Sequence, residues 1–308
     1  MTTDTPFDIR LAPMGLTLRL ISNSRAVLAA AEASFGRFGP PPAEAPPDLT
    51  FRLYRHPLDD GPPTAPVFRR EGNLLIQSAG RDNILTAHLP GGEALGYFSP
   101  AVLADAPYFR WHFLELALYQ MLEARGWMGV HASALVRNGR ALLLRAASGG
   151  GKSTLALAGA RSGQFKALAE DVVWLEPDGG RCWGLPWHFH LLPDAPRLFP
   201  ELAGQPPRLQ TSGEMKLEIE PEQFWPGSTV CRAWPAALVF VARAPGESSR
   251  LEVITPAEAR RLWPLAQTGL ESQLPHHPAH IRRLTGGATY RLYFGDDIDA
   301  ALALLAGL

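Results

Sequence analysis

The residues best suited to chemistry gather first at positions 146–155, AASGGGKSTL, where a glycine run ends in Gly-Lys-Ser-Thr. Glycine reaches backbone conformations closed to residues with a Cβ. Gly149, Gly150 and Gly151, with Ser148 before them, can therefore turn successive N–H groups toward an anion. In such a phosphate-binding P-loop, of the Walker A kind, Lys152 reaches the β- and γ-phosphates of a nucleotide and the Ser153 hydroxyl ligates Mg²⁺. Thr154 follows in the first turn of a helix whose unpaired N–H groups and dipole favour the same charge. The consensus loop opens with glycine, and here that position is Ala146, which costs little if its φ is negative.

A second group lies downstream. Glu170 and Asp171 interrupt the apolar stretch 165–174. Neighbouring side chains of a strand point to opposite faces, so the two acids cannot do one job from one side. Phosphoryl transfer needs one carboxylate near Mg²⁺ and another to orient or deprotonate the acceptor, and such a pair meets both needs. His131 opens the strand that precedes the loop. It reads equally as a satisfied structural histidine and as a member of the site. Lys216 is a surface charge or a second phosphate contact. His188 with His190, and His276, His277 and His280, have no neighbouring cysteines, and they read as solvated loop residues rather than zinc ligands.

Elements of definite kinds must position these groups. Residues 141–144 form an apolar strand into the loop and residues 153–160 a helix out of it, the order that the phosphate-binding reading requires. Asn138-Gly139 between apolar runs marks a hairpin. Upstream, residues 16–22, 49–56, 73–79 and 83–89 read as strands, 25–35 as a helix capped by Ser24, and the proline-rich 40–48 as a connector. Residues 105–125 read as one helix stopped by Gly126. Downstream come strands near 187–193, 214–221, 236–243, 250–256 and 289–295, a helix capped by Thr255, and a closing helix over 296–305.

Composition narrows the partners. With 29 basic and 30 acidic residues the net charge is −1, so nothing global draws the chain to nucleic acid or to an anionic membrane. Hydrophobic residues make up 46% of the 308, enough for a sizeable core. Two cysteines cannot build a disulfide framework, no segment has the length of a membrane span, and the start of the chain lacks a signal-peptide pattern. The expectation is a cytoplasmic protein, and a homo-oligomer is left open.

Taken together, these residues resemble the HPr serine kinase/phosphorylase C-terminal domain and its HPr-kinase-like relatives. The match is an ordered set: His-Ala-Ser-Ala-Leu from His131, a short hairpin, the A-x-S-G-x-G-K-S-T loop, a helix, a turn at Ser162-Gly163, and a Leu-Ala-acid-acid strand end. The resemblance implies an α/β P-loop kinase domain, similar to HPr kinase and phosphoenolpyruvate carboxykinase, over 105–308, preceded by a small α/β accessory domain over 1–104. It implies ATP and Mg²⁺ as cofactors, with Lys152 and Ser153 on phosphate and metal, Asp171 as the acid near the metal, Glu170 as the acid activating the acceptor hydroxyl, and His131 beside them. Glutamate stands at 170 where the family usually has aspartate, and the glycine-rich segment that serves HPr binding is missing. The expected acceptor is therefore a hydroxyl, chiefly serine, of a peptide or protein, a ribosomal-peptide precursor among the candidates. The alternatives are a nucleotide-binding regulatory module that transfers nothing, and a kinase of a small-molecule hydroxyl.

Overall fold

In β3 (Leu49–Arg55) the sequence alternates, and the structure buries Leu49, Phe51 and Leu53 on one face while Thr50, Arg52 and Tyr54 stay partly open. The computed structural model describes residues 6–58, 61, 64–210, 213–266 and 274–308. The start of the chain and Thr211–Ser212, in the loop before Lys216, lie outside them. The described chain is mixed α/β and divides into two compact units, Met1–Trp127 and Met128–Leu308.

In the first unit β3 joins β1 (Phe7–Leu11), β2 (Leu18–Ser22), β4 (Val67–Glu71), β5 (Leu74–Ala79), β6 (Asn83–His88) and β7 (Glu93–Phe98) in a sheet of order β1-β2-β3-β7-β6-β5-β4. Helix α1 (Arg25–Phe35) buries Val27, Ala30, Ala31 and Phe35. Ser24 sits at its N-cap, but its side chain makes no cap hydrogen bond, a departure from the expected cap. Residues 105–125 are not one regular helix. After α2 (Pro100–Ala104) come α3 (Ala106–Phe109), a π-helical turn over Arg110–Glu115, and α4 (Leu116–Ala124). Phe109 and Phe113 each meet Phe98 edge-on at 4.8 Å between ring centroids. Ser34 donates to Glu115 Oε1 at 2.7 Å. The helical stretch thus belongs to the core of the first compact unit, which runs to Trp127.

The second unit is built on two strands that break at the same level. Residues 128–137 form β8 (Met128–His131) and β9 (Ser133–Arg137), and residues 166–175 form β11 (Lys166–Ala169) and β12 (Val172–Leu175) around the hairpin partner β10 (Arg140–Arg145). β9 and β11 pair with each other, as do β8 and β12. Asn138 and Gly139 turn the β9–β10 hairpin at φ 52 and 74°, as their types predict. Strand β17 (Arg232–Arg243) is parallel to β10 and to β19 (Ala288–Phe294), pairs by its first residues with β13 (Cys182–Trp183), and so joins both wings of the sheet. β14 (Phe189–Leu191), β16 (Met215–Ile219) and β15 (Arg208–Leu209) make a separate three-stranded sheet, the short helix α6 (Pro221–Phe224) follows β16, and β18 (Arg250–Val253) pairs with β19.

Alternation along β10 decides which helices cover which face. Leu142 and Leu144 pack with Leu155 and Leu157 of α5 (Lys152–Arg161) and Leu302 and Leu305 of α9 (Ile298–Ala306). Ala141 and Leu143 point the other way, to Ala259 of α7 (Pro256–Leu262), to Trp263, and to Ile281 and Leu284 of α8 (His277–Gly286). Each fully buried leucine contributes about 1.5–3 kcal/mol relative to exposure. Thr255 caps α7 with Glu258 in a reciprocal capping box. Among the described residues no helix is long and apolar enough to cross a membrane.

Candidate active site

The glycine loop connects the end of β10 to the start of α5, as its sequence requires. Gly149 and Gly151 take φ of 75 and 91°, a region that favours glycine. Ala146 is not among the residues of positive φ, so alanine is at ease at the loop's first position. Its methyl group sets a condition elsewhere: a Cβ at Gly150 would stand 2.6 Å from Ala146 Cβ and 3.0 Å from the Ala147 carbonyl oxygen. Ser148 and Gly149 are exposed, Gly150, Gly151, Ser153 and Thr154 half-buried, and Lys152 buried.

Lys152 donates to Asp171 Oδ1 at 2.7 Å, and His131 Nδ1 stands 3.3 Å from the same oxygen. Ser153 donates to Glu170 Oε1 at 2.5 Å, while the other oxygen of Glu170 lies 3.6 Å from His190 Nδ1. The backbone beneath is pinned. Ala132 N–H donates to the Asp171 carbonyl at 3.0 Å, and the Ser133 hydroxyl donates to the Glu170 carbonyl. The acids therefore sit where both strand pairs break, at the mouth of α5.

The two acids diverge as expected, but with their partners exchanged: Ser153 meets Glu170, not Asp171. The physical reason is a bulge. β11 slips by one residue against β9 between Ala167 and Ala169, so one extra residue turns every later side chain to the other side. Gly184 admits the strand here, for a Cβ on it would stand 2.0 Å from the Leu168 carbonyl oxygen.

Charge at the site follows from these contacts. Burial raises the pKa of Asp171, but hydrogen bonds and charge from His131 and Lys152 outweigh it and hold the carboxyl far below the usual carboxylate range. Its side chain is 50% exposed, against 11% for Glu170, so Asp171 is the acid that solvent and an incoming group can reach.

His190 is a site residue that the sequence reading places in a solvated loop. It belongs to β14, opposite Glu218 of β16, and the alternation His188-Phe189-His190 with Phe189 buried is the signal that could have revealed it. Burial lowers its pKa, but Glu170 and then Glu218 reverse the shift, so the net direction is upward. His188 pairs with Glu218 at 3.1 Å, and Lys216 with Glu214 at 3.0 Å. His277 and His280 are buried, with the His276 ring 4.7 and 6.1 Å away, not solvated.

Among the described residues no three His, Cys, Asp or Glu side chains form a cluster that could hold a metal ion by themselves. Ser153 and Glu170 offer one hydroxyl and one carboxylate beside the glycine loop. That donor set suits Mg²⁺, which takes oxygen ligands from one or two carboxylates, waters and substrate phosphates.

No family model and no curated protein matches the chain. Among solved structures it is similar to the Hpr(Ser) kinase/phosphatase from Coxiella burnetii, at 14% identity, with 58% of this chain and 93% of that one covered and a TM-score of 0.29.

Proposed function

We propose that this chain is an ATP- and Mg²⁺-dependent kinase that phosphorylates a hydroxyl, serine's foremost, of a peptide or protein. The observation that carries the reading is the convergence at one helix start of Lys152 on Asp171 and Ser153 on Glu170, with His131 bracing Asp171. Lys152 and the loop amides would hold phosphate oxygens, and Ser153 with Glu170 would hold the metal ion. Bound together, ATP and Mg²⁺ supply the phosphoryl group and neutralise its charge. Asp171 faces the acceptor, orients its hydroxyl and takes its proton. The Lys152 ammonium carries three N–H donors, so it can reach a phosphate oxygen while one donor stays on Asp171 Oδ1.

The peptide acceptor rests on the sequence resemblance, and a small-molecule hydroxyl would use the same groups. The 2.7 Å bond from Lys152 to Asp171 favours a second reading, a module that binds nucleotide with the lysine held back and transfers nothing. Incubation with γ-labelled ATP, Mg²⁺ and a cellular peptide pool separates the two. Label on serine is expected of the kinase; ATP retained intact, with no labelled acceptor, is the outcome for the module.

A further inference from the structure

Arg145 ends β10 just before the glycine loop, and its side chain is fully buried. Alternation sends it the way of Ala141 and Leu143, to the face that α7 and Trp263 cover and away from α5. There its guanidinium carbon lies 3.8 Å from the centre of the Trp263 ring, and Nη2 donates to the Trp263 carbonyl at 3.2 Å. Nη1 donates at 3.2 Å to the carbonyl of His131. The last rung between β10 and β9 joins Leu144 to Ser133, and beyond it the chain leaves β10, with His131 already paired to Val172 of β12. The Arg145 fork crosses the gap that this departure opens.

What the fork holds bears on the acids. The carbonyl of His131 and the N–H of Ala132 belong to one peptide group, and that N–H donates to the Asp171 carbonyl at 3.0 Å. Arg145, this peptide and the Asp171 main chain thus form one run of hydrogen bonds, and His131 meets Asp171 a second time through its ring, Nδ1 beside Oδ1. A methionine would fill the slot under Trp263 without taking a charge out of water, and a buried charge is weak evidence for stability alone. What only the guanidinium supplies is a rigid fork of donors, here aimed at carbonyls of two separate segments. Fully buried, it touches neither nucleotide nor acceptor, so it acts on the reaction only through what it holds.

We infer that Arg145 is a positioning residue of the transfer reaction: it fixes the peptide between His131 and Ala132 and, through it, the placing of the Asp171 carboxylate against the acceptor hydroxyl. The inference rests on the kinase reading above. Arg145→Met keeps an unbranched stem and removes the fork. Misplacing a reacting group by about 1 Å costs about 10²-fold, so transfer of label from γ-labelled ATP to serine in a cellular peptide pool should slow by about 10–100-fold. Mg·ATP affinity by calorimetry should stay within about threefold of wild type, because Lys152 and the loop amides are untouched. Trp263→Leu removes the ring under the guanidinium and takes the place of Arg145→Met if melting curves show that the latter does not fold. On an Asp171→Asn background the same variant should slow transfer by less than about twofold more, because the group that Arg145 positions is already gone. A wild-type rate in the folded variant, parallel loss of rate and ATP affinity, or full additivity with Asp171→Asn overturns the positioning role and leaves the kinase reading standing. A wild type that labels no acceptor overturns the kinase reading itself, and the positioning role with it.

Discussion

Exchanging Asp171 for Asn and Glu170 for Gln should produce two different defects, because the two carboxylates meet different partners: Asp171 meets Lys152 and His131, and Glu170 meets Ser153. Asp171→Asn keeps the size of the side chain but removes the charge that Lys152 meets at 2.7 Å and His131 at 3.3 Å. Loss of a general base slows transfer by about 10²–10⁴-fold, which is about 3–5 kcal/mol of barrier. Lys152 is released by the same change, so Mg·ATP affinity should hold or tighten. Glu170→Gln instead removes the charge beside Ser153 Oγ, and Mg²⁺ affinity should fall by about 10–100-fold. Raising the Mg²⁺ concentration should therefore restore much of the Glu170→Gln rate and none of the Asp171→Asn rate. Initial rates against Mg²⁺, with ATP affinity by calorimetry, make the comparison. If excess Mg²⁺ rescues Asp171→Asn and not Glu170→Gln, the assignment drawn from the bulge is refuted.

Two further predictions concern the loop and the first unit. Gly150→Ala should lower ATP affinity at least tenfold with little change in Tm, and adding Ala146→Gly should recover part of the loss by removing the methyl group 2.6 Å from the new Cβ; no recovery would mean that the crowding lies elsewhere. Burial raises the Glu123 carboxyl to about 7 despite Arg70 3.9 Å away, so its proton is held in the folded chain between about pH 4.5 and 7 and released in the unfolded one. Stability should then fall by about 3 kcal/mol as pH rises through that window. Glu123→Gln should flatten that fall, melting close to wild type at pH 4.5 and several degrees higher at pH 8, and parallel melting curves for the two proteins at every pH would sink the idea.

Much of the loop geometry was legible because its determinants are local. The glycines, Lys152 and Ser153 define a loop and a helix start within ten residues, Asn138-Gly139 defines the hairpin that feeds it, and Thr255-Pro256 announces α7. The acids show the limit of pattern reading. Alternation predicts that Glu170 and Asp171 diverge, but which one meets Ser153 depends on a single inserted residue at Leu168, permitted by the bare backbone of Gly184 from another strand. His190 reaches Glu170 only because β14 folds back over the start of α5, a contact between distant segments. The π-helical turn at 110–115 likewise meets a tertiary partner, for Ser34 of α1 bonds both Glu115 and Arg110 there, and the apolar spacing of 105–125 carries no mark of it.

The most direct measurement follows γ-phosphate from labelled ATP to serine in a peptide pool, comparing the wild-type chain with Lys152→Ala under saturating Mg²⁺. Lys152 is buried at the loop and its ammonium bridges toward Asp171, so the account predicts phosphoserine with the wild type, at least a 10³-fold lower rate with the variant, and closely matching melting curves for the two proteins. Transfer by a folded Lys152→Ala protein at the wild-type rate would contradict it.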